Sequence, residues 1–176
     1  LPCSLDSTLN DIPLHIKIAR SFIGTKELKN NRGYWIDKWN KNVNAPLGSP
    51  YCGAFGYYCL DSAKVIYPQK KSGLARSHVN KSSFTILDVL NHRKSIKIGD
   101  GLIWQKNNSY QGHFGFANEN WNGNSGSTIE ANTSGIKKEN QSEGDGVYFK
   151  SRRIEPYNYH FRIRWITPYS SYENAD

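Results

Sequence analysis

Residues 112–132 read Gly112-His-Phe-Gly-Phe-Ala117, then Asn118-Glu-Asn-Trp-Asn-Gly-Asn124, then Ser125-Gly-Ser-Thr-Ile-Glu-Ala-Asn132. Two alternating runs flank a loop rich in Asn and Gly, which is the pattern of a β-hairpin. Strands are predicted over His113–Asn118 and Ser127–Asn132. In the first, Phe114 and Phe116 point one way and His113, Gly115 and Ala117 the other. In the second, Thr128, Glu130 and Asn132 share a face and Ile129 and Ala131 take the opposite one. Folding symmetrically about the loop sets His113 opposite Asn132 and Gly115 opposite Glu130, so an imidazole, a carboxylate and an amide meet on one face. A slip of one residue would bring the phenylalanines beside the carboxylate, so the apolar pattern itself selects this parity. The bland alternative is a solvated polar face with an incidental histidine.

Further strands are predicted over Gly101–Gln105, Gly146–Arg153 and Tyr159–Ile166, with a turn at Ser142-Glu-Gly-Asp-Gly146. Upstream the period is helical. Residues 11–23 carry Ile12, Ile16, Ala19 and Ile23 on one face, with Asp11 as the predicted cap, Pro13 in the first turn and Gly24 as the stop. A short helical segment is expected around Tyr34, Trp35, Ile36 and Trp39. After a turn-rich loop from Asn42 to Pro50, a largely buried helix is predicted from Cys52 to about Val65, on the spacing of Phe55, Cys59 and Ala63. Beyond a polar connector, Pro68 to Lys81, a last helix is predicted near Ser83–Leu90 with Phe84, Leu87 and Leu90 on its buried face. Helices followed by strands argue an α+β fold, with the cysteine helix packed on an antiparallel sheet of about five strands. There is no internal repeat, linker or low-complexity tract, so residues 1–176 are expected to form a single domain.

The chain has 176 residues, enough for one core, and 13% aromatic residues supply large apolar surfaces to it. Its mean hydropathy is −0.70, and no apolar run reaches the roughly 18–20 residues that span a bilayer, so no membrane span is expected. No methionine occurs and the first residues lack a signal-peptide pattern, which implies a start after a processed leader or a cut, and permits export. Three cysteines are too few for a disulfide framework. Cys52 and Cys59, seven apart on one helix, lie about 10 Å apart, beyond the roughly 7 Å a disulfide tolerates, so any bridge would use Cys3.

A cysteine at a helix start sits among unpaired N–H groups at the positive end of the helix dipole, where the thiolate is favoured, and this makes Cys52 a candidate nucleophile. The plain alternative is a small buried hydrophobe, which describes most free cysteines and fits Cys59 better. A thiol nucleophile needs a base and an orienting partner for that base. Of five histidines, His15, His78, His92 and His160 read as surface residues, and His113 stands apart on its polar strand face.

The ordered set Pro50-Tyr-Cys-Gly-Ala-Phe55, Lys97-Ile-Gly-Asp100, Gly112-His-Phe-Gly115 and Thr128-Ile-Glu-Ala-Asn-Thr133 resembles the successive motifs of CHAP domains, the cysteine- and histidine-dependent amidohydrolase/peptidases. These are relatives of NlpC-type cell-wall hydrolases on a papain-like fold. The segments Gly24-Thr-Lys-Glu27 with Asn31-Arg-Gly33, and Gly144-Asp-Gly-Val-Tyr148 with Arg152, extend the resemblance over most of the chain. It implies Cys52 as nucleophile, His113 as base, Glu130 as the group orienting His113, and Asn132 as a further polar member of the site, with no cofactor and no metal. Gly53 and Ala131 replace a commoner alanine and glycine. Tyr51 stands where the family often has Trp or Gln, leaving the backbone N–H of Cys52 as the assignable oxyanion donor.

The activity implied is hydrolysis of amide bonds in bacterial peptidoglycan, by an endopeptidase or an N-acetylmuramoyl-L-alanine amidase that is secreted or delivered to the cell wall or periplasm. An immunity or targeting partner is not visible in the sequence. The alternative is a non-catalytic basic binding module for a cell-wall polymer or other polyanion, since 23 Lys+Arg against 15 Asp+Glu give a charge of +8. Lys70-Lys71, Lys137-Lys138 and Arg152-Arg153 are scattered pairs better explained by a solvated surface, and the strand at His113 lacks the basic flanks of an RNA-recognition strand, so no specific nucleic acid is expected.

Overall fold

The computed structural model describes residues 12–133, 144–156 and 158–176. The predicted cap Asp11, Cys3, the pair Lys137-Lys138, and Ser142 and Glu143 of the predicted turn lie outside the described residues. The fold is α+β, with four α-helices and an open, six-stranded antiparallel sheet.

Helix α1, Leu14–Ser21, starts directly after Pro13, whose fixed φ suits a helix entrance, and buries His15, Ile16 and Ala19. Helix α2, Tyr34–Asn42, buries Ile36 and Trp39. Helix α3, Cys52–Ser62, is apolar nearly all round, as a helix enclosed on every side must be. It packs between α1 and α2, and Phe22 joins these helices by edge-on contacts to Trp35, Trp39, Phe55 and Tyr58.

The strands are β1 (Phe84–Thr85), β2 (Gly101–Lys106), β3 (Gly112–Ala117), β4 (Ser125–Thr133), β5 (Gly146–Arg153) and β6 (Phe161–Thr167), in the spatial order β1-β6-β2-β3-β4-β5. Strands β2 to β5 form a meander, and β6 returns across it to pair with β2 and β1. The short β1 is the strand by which the sheet exceeds the predicted five.

Alternation along the strands divides the interior in two. Ile103, Phe114, Phe116, Ile129 and Ala131 face the three helices in one cluster. Leu102, Trp104, Ala117, Ile163 and Ile166 face the other way in a second cluster, covered by Trp121, Ile154 and helix α4, Ile86–Leu90. Helix α4 corrects the predicted face. Thr85 caps it, its backbone N–H donating to Asp88 at 3.0 Å, so the helix starts at Ile86 and turns Ile86 and Val89 inward. Leu87 and Leu90 are left outside, and Phe84 belongs to the strand.

The polar connector before β1 also differs from expectation, since Ala75–His78 forms a 3-10 turn that tucks under α3. Two glycines of α3 allow this close approach. A Cβ at Gly56 would sit 2.4 Å from Phe114 Cε1 and 2.9 Å from His78 Cε1, and one at Gly53 would sit 2.8 Å from the carbonyl oxygen of Gly73. Among the described residues, no helix is long and apolar enough to cross a membrane.

Candidate active site

Hairpin β3–β4 has the register that its parity predicts, with Gly115 opposite Glu130 and Ala117 opposite Thr128. Gly115 is required there, because a Cβ on it would lie 2.7 Å from Glu130 Cγ. The carboxylate therefore folds over the bare glycine and reaches His113, whose Nε2 lies 2.8 Å from Glu130 Oε2.

Glu130 is wholly buried and its two oxygens take four donors. Thr128 Oγ1 donates at 2.5 Å, and Arg152 closes a bidentate fork through Nε at 2.7 Å and Nη2 at 2.6 Å. Burial alone would favour the neutral acid, yet Arg152 and His113 hold the carboxyl well below the usual carboxylate range. An ionised Glu130 accepts only, so His113 Nε2 carries a proton and Nδ1 is the nitrogen left to meet the thiol. The ring is also braced by Trp104, its centroid 5.4 Å away, and Arg152 lies over that indole at 5.7 Å.

Cys52 is the first residue of α3 and is buried. Its burial opposes ionisation. The hydrogen bond and charge of the His113 ring, with the backbone N–H groups of Phe114 and Gly53, outweigh this and bring the thiol below its ordinary value. For His113, desolvation favours the neutral ring, but Cys52 and Glu130 together push its pKa up to about 9. The two directions agree, since each partner favours the charged form of the other. The coupling therefore favours the ion pair, thiolate with imidazolium, over the neutral pair, and seats it on a buried carboxylate.

Asn132 is close by in sequence but is not joined to the base. The β3–β4 ladder ends at Gly115 and Glu130, so the expected pairing of His113 with Asn132 does not form. At this point β4 breaks register with β5 between Ala131 and Thr133, and Asn132 takes a left-handed φ of 56°. Its side chain is buried and its Oδ1 has no hydrogen-bond partner among the described residues. Tyr51, just before Cys52, donates its hydroxyl to Glu27 Oε1 at 3.1 Å, so that proton is committed.

Three residues correct the sequence reading. Arg152 is no member of a solvated surface pair, because its side chain is only 18% exposed and grips Glu130. Its signal was strand parity, since Gly126 opposite Arg152 and Thr128 opposite Lys150 put the even residues of β5 on the face of Glu130. His15, expected on the surface, is buried with Nε2 donating to the carbonyl of Gly99 at 2.8 Å. His78 is fully buried, stacked between Tyr57 at 3.9 Å and Phe114 at 3.7 Å. Its Nε2 donates to the carbonyl oxygen of Gly53 at 3.0 Å and Nδ1 accepts from Tyr169 at 2.8 Å. Burial drives its pKa down to about 3, so it is neutral and pins the first turn of α3. His92 and His160 are exposed, as expected.

Cys52 and Cys59 are both free thiols. Burial holds Cys59 well above the ordinary thiol value, which makes it inert. Among the described residues, no group of three or more His, Cys, Asp or Glu side chains could hold a metal ion. No protein-family model matches this chain, and a search of curated proteins finds no match to it.

Proposed function

We propose that the protein is a cysteine-dependent amidohydrolase of the CHAP type on a papain-like fold, and that it cleaves amide bonds in the peptide part of bacterial peptidoglycan. The single observation that carries this reading is the hydrogen-bonded chain from Cys52 through His113 to Glu130. The cysteine helix packed against an antiparallel meander supports the papain-like assignment, and the order of the four motifs supports the substrate class.

In this mechanism the Cys52 thiolate attacks the amide carbonyl, and the backbone N–H of Cys52 stabilises the oxyanion. The His113 imidazolium gives its Nδ1 proton to the leaving amine as the C–N bond breaks. The same nitrogen then takes a proton from the water that attacks the thioester, which restores the imidazolium, and collapse of the intermediate breaks the C–S bond, frees the acid and regenerates the thiolate. Glu130 holds Nε2–H throughout and offsets the ring's positive charge. Arg152 and Thr128 keep Glu130 ionised and in place, which makes them positioning residues.

Endopeptidase action and cleavage of the muramoyl–alanine amide share this chemistry, and either calls for a protein secreted or delivered to the wall or periplasm. The test is digestion of purified peptidoglycan with mass spectrometry of the released fragments, run beside Cys52→Ala. New amino groups are expected with the native protein and none with the variant. Equal release by both would refute the assignment.

A further inference from the structure

A cavity of about 490 Å³ lies beside this site, within the roughly 300–1,000 Å³ typical of ligand pockets. Arg76 from the 3-10 turn, Gln105 and Lys106 from the end of β2, Tyr110 from the loop to β3, and Arg164 from β6 contribute to its wall. Among the described residues, the lining holds three cationic side chains and no Asp or Glu. The Arg76 guanidinium lies 5.3 Å over the Trp165 ring, and Arg164 Nη2 donates to Asn107 Oδ1.

The wall is one residue removed from the reactive groups on two sides. Gln105 pairs with Gly112, the residue before His113. Arg76 follows Ala75, whose backbone nitrogen lies 3.1 Å from a Cβ built on Gly53, the residue after Cys52. A Cβ at Gly112 would lie 3.5 Å from that of Ala75, so the two approaches meet. A group seated in the cavity is therefore close along the substrate to the bond that Cys52 attacks. In a peptide, the negative charge at that distance from an amide is a carboxylate, and a guanidinium fork with a phenol at its rim is suited to bind it.

We propose that this cavity is a subsite for a carboxylate of the substrate peptide, so that the enzyme selects acidic peptides. The proposal deepens the acyl-transfer reading above and rests on it. It is tested with soluble muropeptides, either with free carboxylates or after carbodiimide amidation, on the native chain and on Arg76→Ala, Arg76→Lys and Arg164→Ala. Arg76 is exposed, so its variants are expected to fold.

Loss of one charge-assisted hydrogen bond is expected to raise KM for the free-carboxylate substrate about ten-fold in each alanine variant. Lysine should restore part of that loss, and the amidated substrate should not tell the variants from the native chain. Calorimetry with Cys52→Ala supplies the second arm. Binding that depends on the carboxylates and on Arg76, in a protein whose native form hydrolyses nothing, would uphold the subsite and sink the hydrolase reading. Hydrolysis with a KM indifferent to amidation and to Arg76 would overturn the subsite alone. Displacement of the muropeptide by a glycerol-phosphate polymer, with no effect of amidation, would show a phosphate site and would also overturn it.

Discussion

Replacing Glu130 by Gln keeps the shape of the side chain and removes its charge, and the consequence follows from what the carboxylate does to His113. The imidazolium is favoured up to a pH of about 9 by two neighbours, the Cys52 thiolate and Glu130. Deleting one of them moves that limit down toward the ordinary 6.5, by about one to two pH units, or roughly 1.4–2.7 kcal/mol at 1.36 kcal/mol per unit. The sign matters, because the upper edge of the ion pair is set by loss of the imidazolium proton, the thiolate persisting above it. In the native chain the ion pair persists from the depressed thiol pKa up to the raised histidine pKa. In Glu130→Gln its upper edge falls and the window narrows. The assay is the pH dependence of alkylation of the protein by iodoacetate, an anion drawn by the imidazolium whose rate falls as the ring loses its proton, with Cys52→Ala reporting any contribution from the other thiols. An upper limb at the same pH in the native and Glu130→Gln proteins would refute the reasoning, because His113 would then owe its charge to something other than the carboxylate at 2.8 Å.

Three further outcomes follow from the same contacts. Arg152→Leu leaves a buried carboxylate without its fork and should cost about 3–5 kcal/mol in urea unfolding; Arg153→Ala, whose side chain is 71% exposed, should stay within about 0.5 kcal/mol. Gly56→Ala places a methyl 2.4 Å from Phe114 Cε1 and should destabilise the protein by about 1–3 kcal/mol, as read from its melting temperature. Because the His113 pKa is raised, its ion pair adds stability that is fully present below about pH 6.5 and is lost as pH rises through about 9. The lowered Cys52 pKa contributes the opposite slope over the same range, so the decline should be read by unfolding of Cys52→Ala, where Glu130 alone raises the ring, and should flatten when Glu130→Gln is added.

What could be read without coordinates was whatever repeats at a fixed period. The placement of Phe114 and Phe116 on one face set the register of the β3–β4 hairpin, and with it the meeting of His113 and Glu130, because shifting that pairing by one residue reverses every side chain. Cys52 was legible because the apolar run behind it marks a helix start. The failures lie where tertiary contacts decide. Nothing periodic surrounds His78, and only the docking of its turn under Gly53 and Gly56 shows that it is buried. The Leu87 and Leu90 face was misassigned because a single cap at Thr85 set the rotation of a five-residue helix. The pairing of Asn132 failed at a register break, which a symmetric extrapolation from the loop does not include.

His78 and His113 show why burial and residue type together do not reveal which ring is protonated. Both rings are buried, both pack against aromatic neighbours, and both have hydrogen-bond partners. One is held down to about 3 and the other pushed up to about 9. For His78 the partners are a carbonyl and a phenol, neither of which carries charge, so desolvation prevails and the ring serves only to position Gly53. For His113 the partners are a thiol that can ionise and a carboxylate that Arg152 keeps ionised. A deciding group is thus one step removed from the ring: by holding Glu130 as an anion, the guanidinium on β5 helps to set which of two buried histidines can hold a proton at neutral pH.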